Sequence, residues 1–495
     1  MANDVNIRAY VLEALTEIDR DHKNASEVMQ TALRNHQYLD KKERAFYSRL
    51  CHGTLEYRIQ LDYLIDQVSK TPTAKCKPYI RNLLRMSLYQ ILYMDRVSDQ
   101  TACNEAVKLA KKKGFQNLSG FVNGVLRNLI RQKETLSLPE RPGILDETLE
   151  QEDRLPEVVT DLQARGDVIR YLSVTYSMPE YLVEAFAEWY PIRIMERVLS
   201  AFLQEMPTCI RVNLEKIATE ELRERLNEAG ITSRSGVYCK NILRISEYNY
   251  LNRVPGYREG LFTVQDESSC LQGYLLPIQE LIRKKGKEER IRILDLCASP
   301  GGKAMHAAER IHLADGSTEI LARDISENKL ARIRENLDRM GYSDIRSEVY
   351  DATNYDPALE HKIDLILADV PCSGLGVMGR KTDIKYHLQP EQLDQLVMLQ
   401  QKILQNAVRY LAPNGYLIYS TCTLNPKENE KQVMWMEKEL GLLPVSIADA
   451  LPEVLCKEIA DQPGTDLQGG YCTLLPGIQS CDGFFMARLQ KADQI

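Results

Sequence analysis

The stretch "RILDLCASPGGKAMHAAERI", Arg292 to Ile311, decides the fold. Its first residues are apolar, as in a buried strand, and they stop at an acid, Asp295. A turn of small residues with Gly301 and Gly302 follows, and apolar residues then return at helical spacing. A strand that passes through a glycine turn into a helix opens a βαβ unit. Glycines let a ligand approach the backbone, and a helix N-terminus offers unpaired N–H groups. The spacing is neither the G-x-G-x-x-G of dinucleotide sites nor the G-x-x-x-x-G-K-[ST] of phosphate loops. An adenosyl cofactor without phosphates suits it better; the plain alternative is a βα turn with no ligand.

Downstream, the alternation continues. "EILARDI", "IRSEVYD", "IDLILADVP" and "GYLIYSTC" read as strands, and "NKLARIRENLDRMG" and "EQLDQLVMLQQKILQNAVRYL" as helices. Such alternation predicts a doubly wound, Rossmann-like parallel sheet over residues 276–495. The tail "YCTLLPGIQSCDGFFMARLQ" reads as two more strands that add an antiparallel edge.

Upstream, residues 1–140 read as a helical bundle. Val11, Leu15 and Ile18 share one helical face, as do Leu84, Leu88 and Ile91, and Val122, Leu126 and Leu129. Residues 141–164, proline-rich and acidic without a clean period, read as a linker. Residues 165–275 mix "SMPEYLVEAFAEWY" and "TEELRERLNEAG", which are helical, with "TCIRVN", which is strand-like; they predict a small α+β subdomain.

The bulk numbers fit this plan. With 495 residues the chain has room for about three domains. No apolar run reaches the roughly 18 residues of a membrane span. The N-terminus lacks an apolar signal core, so a cytoplasmic protein with no membrane partner is expected. The twelve cysteines are scattered, with no C-x-x-C pair, which argues against disulfides, zinc or an iron–sulfur cluster. No metal is therefore expected. The net charge is −7, yet residues 1–140 carry 22 Lys and Arg against 16 Asp and Glu. A basic N-terminal part on an acidic whole hints at a polyanionic partner. Lys111, Lys112 and Lys113 stand together there, as phosphate contacts or as a solvated loop.

Acids and cysteines gather at the predicted strand ends. Asp324 and Asp351 follow the second and third strands. An acid there can hold ribose hydroxyls or an adenine amino group, and each alone reads equally as a helix cap. Asp369 and Cys372 end the fourth strand in "ADVPCSGLG", and Cys422 ends the fifth in "YSTCTLNPKENE". One chemistry uses two thiols and an acid beside an adenosyl sulfonium. A thiolate adds to carbon 6 of a pyrimidine, and carbon 5, now enamine-like, takes a methyl group. Asp369 is the candidate for neutralising charge on the ring. A second cysteine, or a water it positions, assists loss of the carbon 5 proton. Spacing leaves open which cysteine attacks. Pro426 and "KENE" fix the Cys422 loop, or simply begin a helix.

"DLCASPGGK", "ADVPCSGLG" and "YSTCTLNPKENE", with "TCIRVN" and "TVQDESS" upstream, resemble the signatures of S-adenosylmethionine-dependent RNA cytosine-5 methyltransferases. The first 135 or so residues resemble the antitermination factor NusB, an RNA-binding module. Together they resemble the bacterial 16S rRNA cytosine-5 methyltransferases of the RsmB/Sun type, over nearly the whole chain. The resemblance implies that Cys422 attacks and Cys372 serves product release. It implies that Cys297, Ala298, Ser299, Pro300, Gly301, Gly302 and Lys303, with Asp324, Asp351 and Asp369, hold S-adenosylmethionine. It places Arg211 and Asn213 near the RNA and implies a monomer acting on ribosomal RNA. Thr382 and Tyr386 stand where the family often has proline and tryptophan, and Asp324 where many relatives have glutamate. A non-catalytic RNA-binding factor with a vestigial methyltransferase domain is the alternative; the intact cysteines and glycine turn speak against it. The missing G-x-G-x-x-G counts against a nicotinamide oxidoreductase.

Overall fold

A computed structural model describes residues 6–21, 23–36, 38–147, 153–286 and 289–493. The chain forms two compact units: Met1–Gln204 with Met378–Leu388, and Glu205–Val377 with Gln389–Ile495.

The first unit is helical. Helix Pro78–Tyr93 runs through its centre and is buried on nearly every side, including Asn82, Arg85, Ser87 and Gln90. A helix apolar on one stripe only would sit at the surface. This one is enclosed, and its polar groups find partners inside: Arg85 donates to both Asp62 oxygens at 2.7 and 2.5 Å. Helices Ile7–Asp21, Lys41–Glu56 and Ser119–Arg131 supply Leu15, Leu50 and Leu126 to the same core.

Two boundaries differ from those expected. By their contacts, helices Leu162–Thr175, Glu180–Trp189 and Ile192–Ala201 group with the helical unit, where an α+β part was expected from 165. Backbone groups at their junction are capped by the bundle: Gln60 donates to the Thr175 carbonyl at 3.1 Å, and Ile59 N–H to the Ser177 hydroxyl at 3.0 Å. The expected linker 141–164 holds short helices Ile144–Glu147 and Leu155–Val158. Its residues 148–152 lie outside the described residues.

Met378–Leu388 also lies in the helical unit, although its sequence neighbours do not. Lys385 is buried there and donates to the carbonyls of Glu56 at 3.0 Å and Ser177 at 2.7 Å. Ala25 N–H donates to Asp383 at 3.0 Å. The Arg58 guanidinium lies 4.7 Å from the Tyr386 ring centroid. Thr382 and Tyr386, two of the departures from the family pattern, are thus packing residues of this insert.

The second unit carries two sheets. Strands β1 (Thr208–Val212), β2 (Thr232–Ser235), β3 (Ile242–Ser246) and β4 (Phe262–Val264) form an antiparallel sheet in the order β2-β3-β1-β4. Its Ile210, Val212 and Leu243 pack on Leu222 and Leu226 of helix Thr219–Glu228. The larger sheet contains β5 (Ile291–Asp295), β6 (Thr318–Asp324), β7 (Arg346–Val349), β8 (Ile363–Asp369), β9 (Leu411–Thr421), β10 (Leu442–Pro444), β11 (Tyr471–Leu474) and β12 (Phe484–Lys491). Its order is β10-β12-β9-β8-β5-β6-β7, with β11 also on β12. β9, β8, β5, β6 and β7 are parallel, as the alternation predicts. β8 is buried at six of its seven positions, the pattern of a strand covered on both faces. The tail strands are antiparallel as expected, but β12 lies inside the sheet, between β10 and β9. Strand order turns back at β5 and β8, and the carboxyl ends there form the crevice where ligands of such sheets bind.

Burial pulls the Lys385 amine down to about 7. A neutral amine still has two hydrogens, which match the two carbonyls it faces. Unfolded lysine holds its proton to about pH 10. Between those values the unfolded chain binds more protons, so stability rises with pH by up to about 1.4 kcal/mol per unit. Below the folded value the contribution is flat. Lys385→Met is expected to remove this slope between about pH 7.5 and 9, read from the denaturant midpoint of the helical unit.

Candidate active site

The glycine turn joins the end of β5 to helix Gly302–His312. Gly301 has φ +98°, a left-handed conformation that disfavours any side chain. The turn is tied to β6: Ala298 N–H donates to the Arg323 carbonyl at 2.9 Å, and Ser299 N–H to Asp324 Oδ2 at 3.0 Å. Asp324 Oδ1 accepts from Ile325 N–H at 2.8 Å and lies 3.0 Å from Lys329 Nζ. Asp324 therefore braces the turn, whatever else it binds. Asp351 follows β7 and accepts from Thr353 N–H at 2.9 Å and its hydroxyl at 2.8 Å, which hold its carboxyl below the usual range.

Asp295 is fully buried, and among the described residues no side chain donates to it. Burial raises its carboxyl to about 7. Burial also pushes the Cys297 thiol far up, with Asp295, Asp324 and Asp369 adding to the shift, so Cys297 is a neutral neighbour.

The reactive groups stand at the ends of β8 and β9. Asp369 pairs in register with Ser420, whose hydroxyl donates to Asp369 Oδ1 at 2.8 Å. Lys303 Nζ donates to Asp369 Oδ2 at 2.6 Å. Beyond the strands, Cys372 Sγ and Cys422 Sγ meet at 3.3 Å. Burial pulls the Lys303 ammonium down, but Asp369, Asp295 and Cys422 outweigh it and hold the group charged. The contact with Cys422, burial, and the carboxylates of Glu428 and Asp369 push the Cys372 thiol well up. Lys303 was expected only in the cofactor loop; its ion pair with Asp369 had no local signal in "PGGK".

Arg211 and Asn213 are not at an RNA surface. Arg211 is fully buried, ion-paired with Glu309 of helix Gly302–His312, and donates to Gln265 at 2.7 Å. Asn213 is buried and accepts from Glu215 N–H at 3.2 Å. Strand alternation turns Arg211 toward that helix, and burial of Glu309 requires a partner charge. Lys111, Lys112 and Lys113 are exposed residues of the helical unit, Lys113 lying 3.1 Å from Glu13. A cleft of about 890 Å³ in the second unit, lined by Tyr274, His306 and Arg310 among others, includes none of the expected site residues.

Removing one partner of a buried pair strands the other charge. Arg211→Met is expected to destabilise the protein by about 3–5 kcal/mol, measured by chemical denaturation. An unchanged midpoint with weakened RNA binding would restore the RNA role.

Comparison with known proteins agrees with this geometry. Residues 282–490 match the model for 16S rRNA methyltransferase RsmB/F, residues 5–131 the NusB family, and residues 178–250 the RsmF/B-like ferredoxin-like domain. The chain is 30% identical to "Ribosomal RNA small subunit methyltransferase B" of Klebsiella pneumoniae over 99% of both chains. It is 29% identical to "Probable ribosomal RNA small subunit methyltransferase B" of Bacillus subtilis over 98% of this chain and 99% of that one. The crystal structure of PH0851 shares the fold with a TM-score of 0.72 at 20% identity, covering 99% of both chains. With the glycine turn, the strand-end acids and the thiol pair all in place on that fold, the chain belongs to the RsmB/F family of 16S rRNA methyltransferases.

Proposed function

We propose that this chain methylates carbon 5 of one cytosine in small-subunit (16S) ribosomal RNA through a covalent bond between Cys422 and carbon 6 of the base. The observation that carries the reading is the 3.3 Å gap between Cys422 Sγ and Cys372 Sγ. Two thiols that close at the mouth of a ligand crevice suit a reaction in which one sulfur bonds the base and the other attends its release. A non-catalytic RNA-binding factor has no use for such a pair.

S-adenosylmethionine, when bound, supplies an electrophilic methyl group on a sulfonium. The residues present fit it. The turn Cys297–Lys303 has no side chain at Gly301 and Gly302, and among the described residues the Asp295 carboxyl below it lacks a side-chain donor. That turn, with Asp324, Asp351 and Asp369, would hold the cofactor.

Lys303, charged beside Asp369, favours a thiolate at Cys422. The thiolate adds to carbon 6, and carbon 5 gains the nucleophilic character to take the methyl group. The Lys303 ammonium, held by Asp369, meets the negative charge that develops on the ring. A water positioned beside Cys372 takes the carbon 5 proton, the thiol itself staying protonated. The carbon–sulfur bond then breaks, its electron pair returns to Cys422, and the 5-methylcytosine leaves. A stacked base keeps carbon 6 out of reach, so the cytosine must be flipped out. With ribosomal RNA as substrate, the place of action is the cytoplasm; among the described residues no helix is long and apolar enough to cross a membrane.

The test is transfer from labelled S-adenosylmethionine to unmodified small-subunit rRNA. Product should be 5-methylcytosine at one position. Cys422→Ala should reduce it to background, and Cys372→Ala should accumulate a protein–RNA adduct that survives denaturation. Robust product from Cys422→Ala would sink the nucleophile assignment.

The helical unit is the proposed RNA-docking part. Changing Lys111, Lys112 and Lys113 together to Glu should weaken RNA binding. It should also flatten the slope of log affinity against log salt by about 2–3, at roughly 0.7–0.9 for each phosphate no longer neutralised. An unaltered slope removes these lysines from the interface.

A further inference from the structure

Glu428 is fully buried, and its carboxylate accepts from four donors, all of them neutral. Oε1 accepts from the Ser373 hydroxyl at 2.5 Å and from Asn425 Nδ2 at 3.0 Å. Oε2 accepts from Ser373 N–H at 2.9 Å and from Gln400 Nε2 at 2.9 Å. Among the described residues no lysine or arginine pairs with it. A buried carboxylate without a cation is stable only when its lone pairs are filled by donors.

The donors come from three places. Ser373 directly follows Cys372. Asn425 lies in the loop that follows Cys422. Gln400, from helix Pro390–Tyr410, also donates to the Pro371 carbonyl at 3.0 Å, on the other side of Cys372. One side chain thus holds both cysteine loops against one helix. The loops also meet directly, Ser373 Oγ and Thr423 Oγ1 being 2.6 Å apart. Glu428 is itself held, since the Tyr419 hydroxyl donates to its carbonyl at 2.5 Å. Neither cysteine loop can shift without giving up bonds to this carboxylate.

We propose that Glu428 is the positioning residue that sets the working separation of Cys372 and Cys422, and thereby the release of the methylated base. This rests on the cytosine-adduct reading above for its consequence, but not for its geometry. A glutamine does not reproduce it: each oxygen receives two donors, and in either orientation an amide turns N–H groups toward one of those pairs. The Ser373 side of the clamp, and with it Cys372, must then move.

The test uses the full chain with Glu428→Gln and, as a milder variant, Ser373→Ala. Diamide oxidises two neighbouring thiols to a disulfide, its N=N bond taking up the two hydrogens. The rate of Cys372–Cys422 disulfide formation, read by mass spectrometry, therefore reports the sulfur gap without any RNA. Glu428→Gln should slow it by about tenfold or more, since small misplacements of reacting atoms are costly in rate. Ser373→Ala, losing one of four bonds, should slow it by about threefold. Under turnover, both variants should hold more RNA in covalent complex than the unaltered protein. S-adenosylmethionine affinity should stay within about twofold, because Glu428 does not touch the glycine turn. Disulfide formation at the unaltered rate in both variants would overturn the clamp. So would loss of cofactor affinity in step with both thiol readouts, which marks general collapse. Slowed disulfide formation with no covalent RNA in either variant or in Cys372→Ala would support the clamp and overturn the cytosine adduct.

Discussion

The parallel register of β8 on β9 sets Asp369 opposite Ser420, and everything at the site follows from that alignment. From these matched ends the chain needs only three residues to reach Cys372 and two to reach Cys422. A slip of one residue would turn each side chain to the other face of the sheet. Register is strongly specified here because β8 is buried on both faces and β9 is flanked by β8 and β12. The tail strand β12, inserted beside β9, is thus part of what holds the thiols together. Gly376 and Gly483 approach so closely that a Cβ on Gly376 would run into the Gly483 carbonyl oxygen. The loop after Cys372 can therefore rest on the tail only with glycine at that position.

Three charged groupings of the second unit join elements that are distant in sequence. Arg211 and Glu309 join the small sheet to the helix that begins at the glycine turn. Lys303 and Asp369 join that helix to β8. Glu428 joins the two cysteine loops. Apolar packing alone tolerates small shifts, whereas a stranded buried charge does not. Ion pairs and filled carboxylates therefore fix geometry that a hydrophobic core would leave looser.

Much of this was legible in the sequence where the signal is local. Apolar runs ending in acids located β5, β6 and β8, and the positions of Cys372 and Cys422 at strand ends followed from that. Arg211 was not legible. "TCIRVN" shows its alternation, but the partner that consumes the guanidinium lies 98 residues away. Of the three helices from Leu162 to Ala201 only Glu180–Trp189 was read from the sequence, and nothing local says which core they join. Met378–Leu388 is the extreme case: it sits between methyltransferase motifs in sequence and packs in the helical unit. A polar Lys385 in that stretch looks like a surface residue until the two carbonyls it serves are seen.

Spacing alone left the order of the two thiols open, and only family resemblance assigned it. The charges around them supply a separate argument. A nucleophilic sulfur must shed its proton easily, and a nearby cation helps it to do so. Lys303 is felt at Cys422. A sulfur that is to keep its proton until late in the reaction needs the opposite surroundings. Glu428 and Asp369 both bear on Cys372 and oppose its thiolate. The clamp and the electrostatics thus meet in one residue: Glu428 is bonded to the Cys372 loop and is one of the carboxylates that push the Cys372 thiol up.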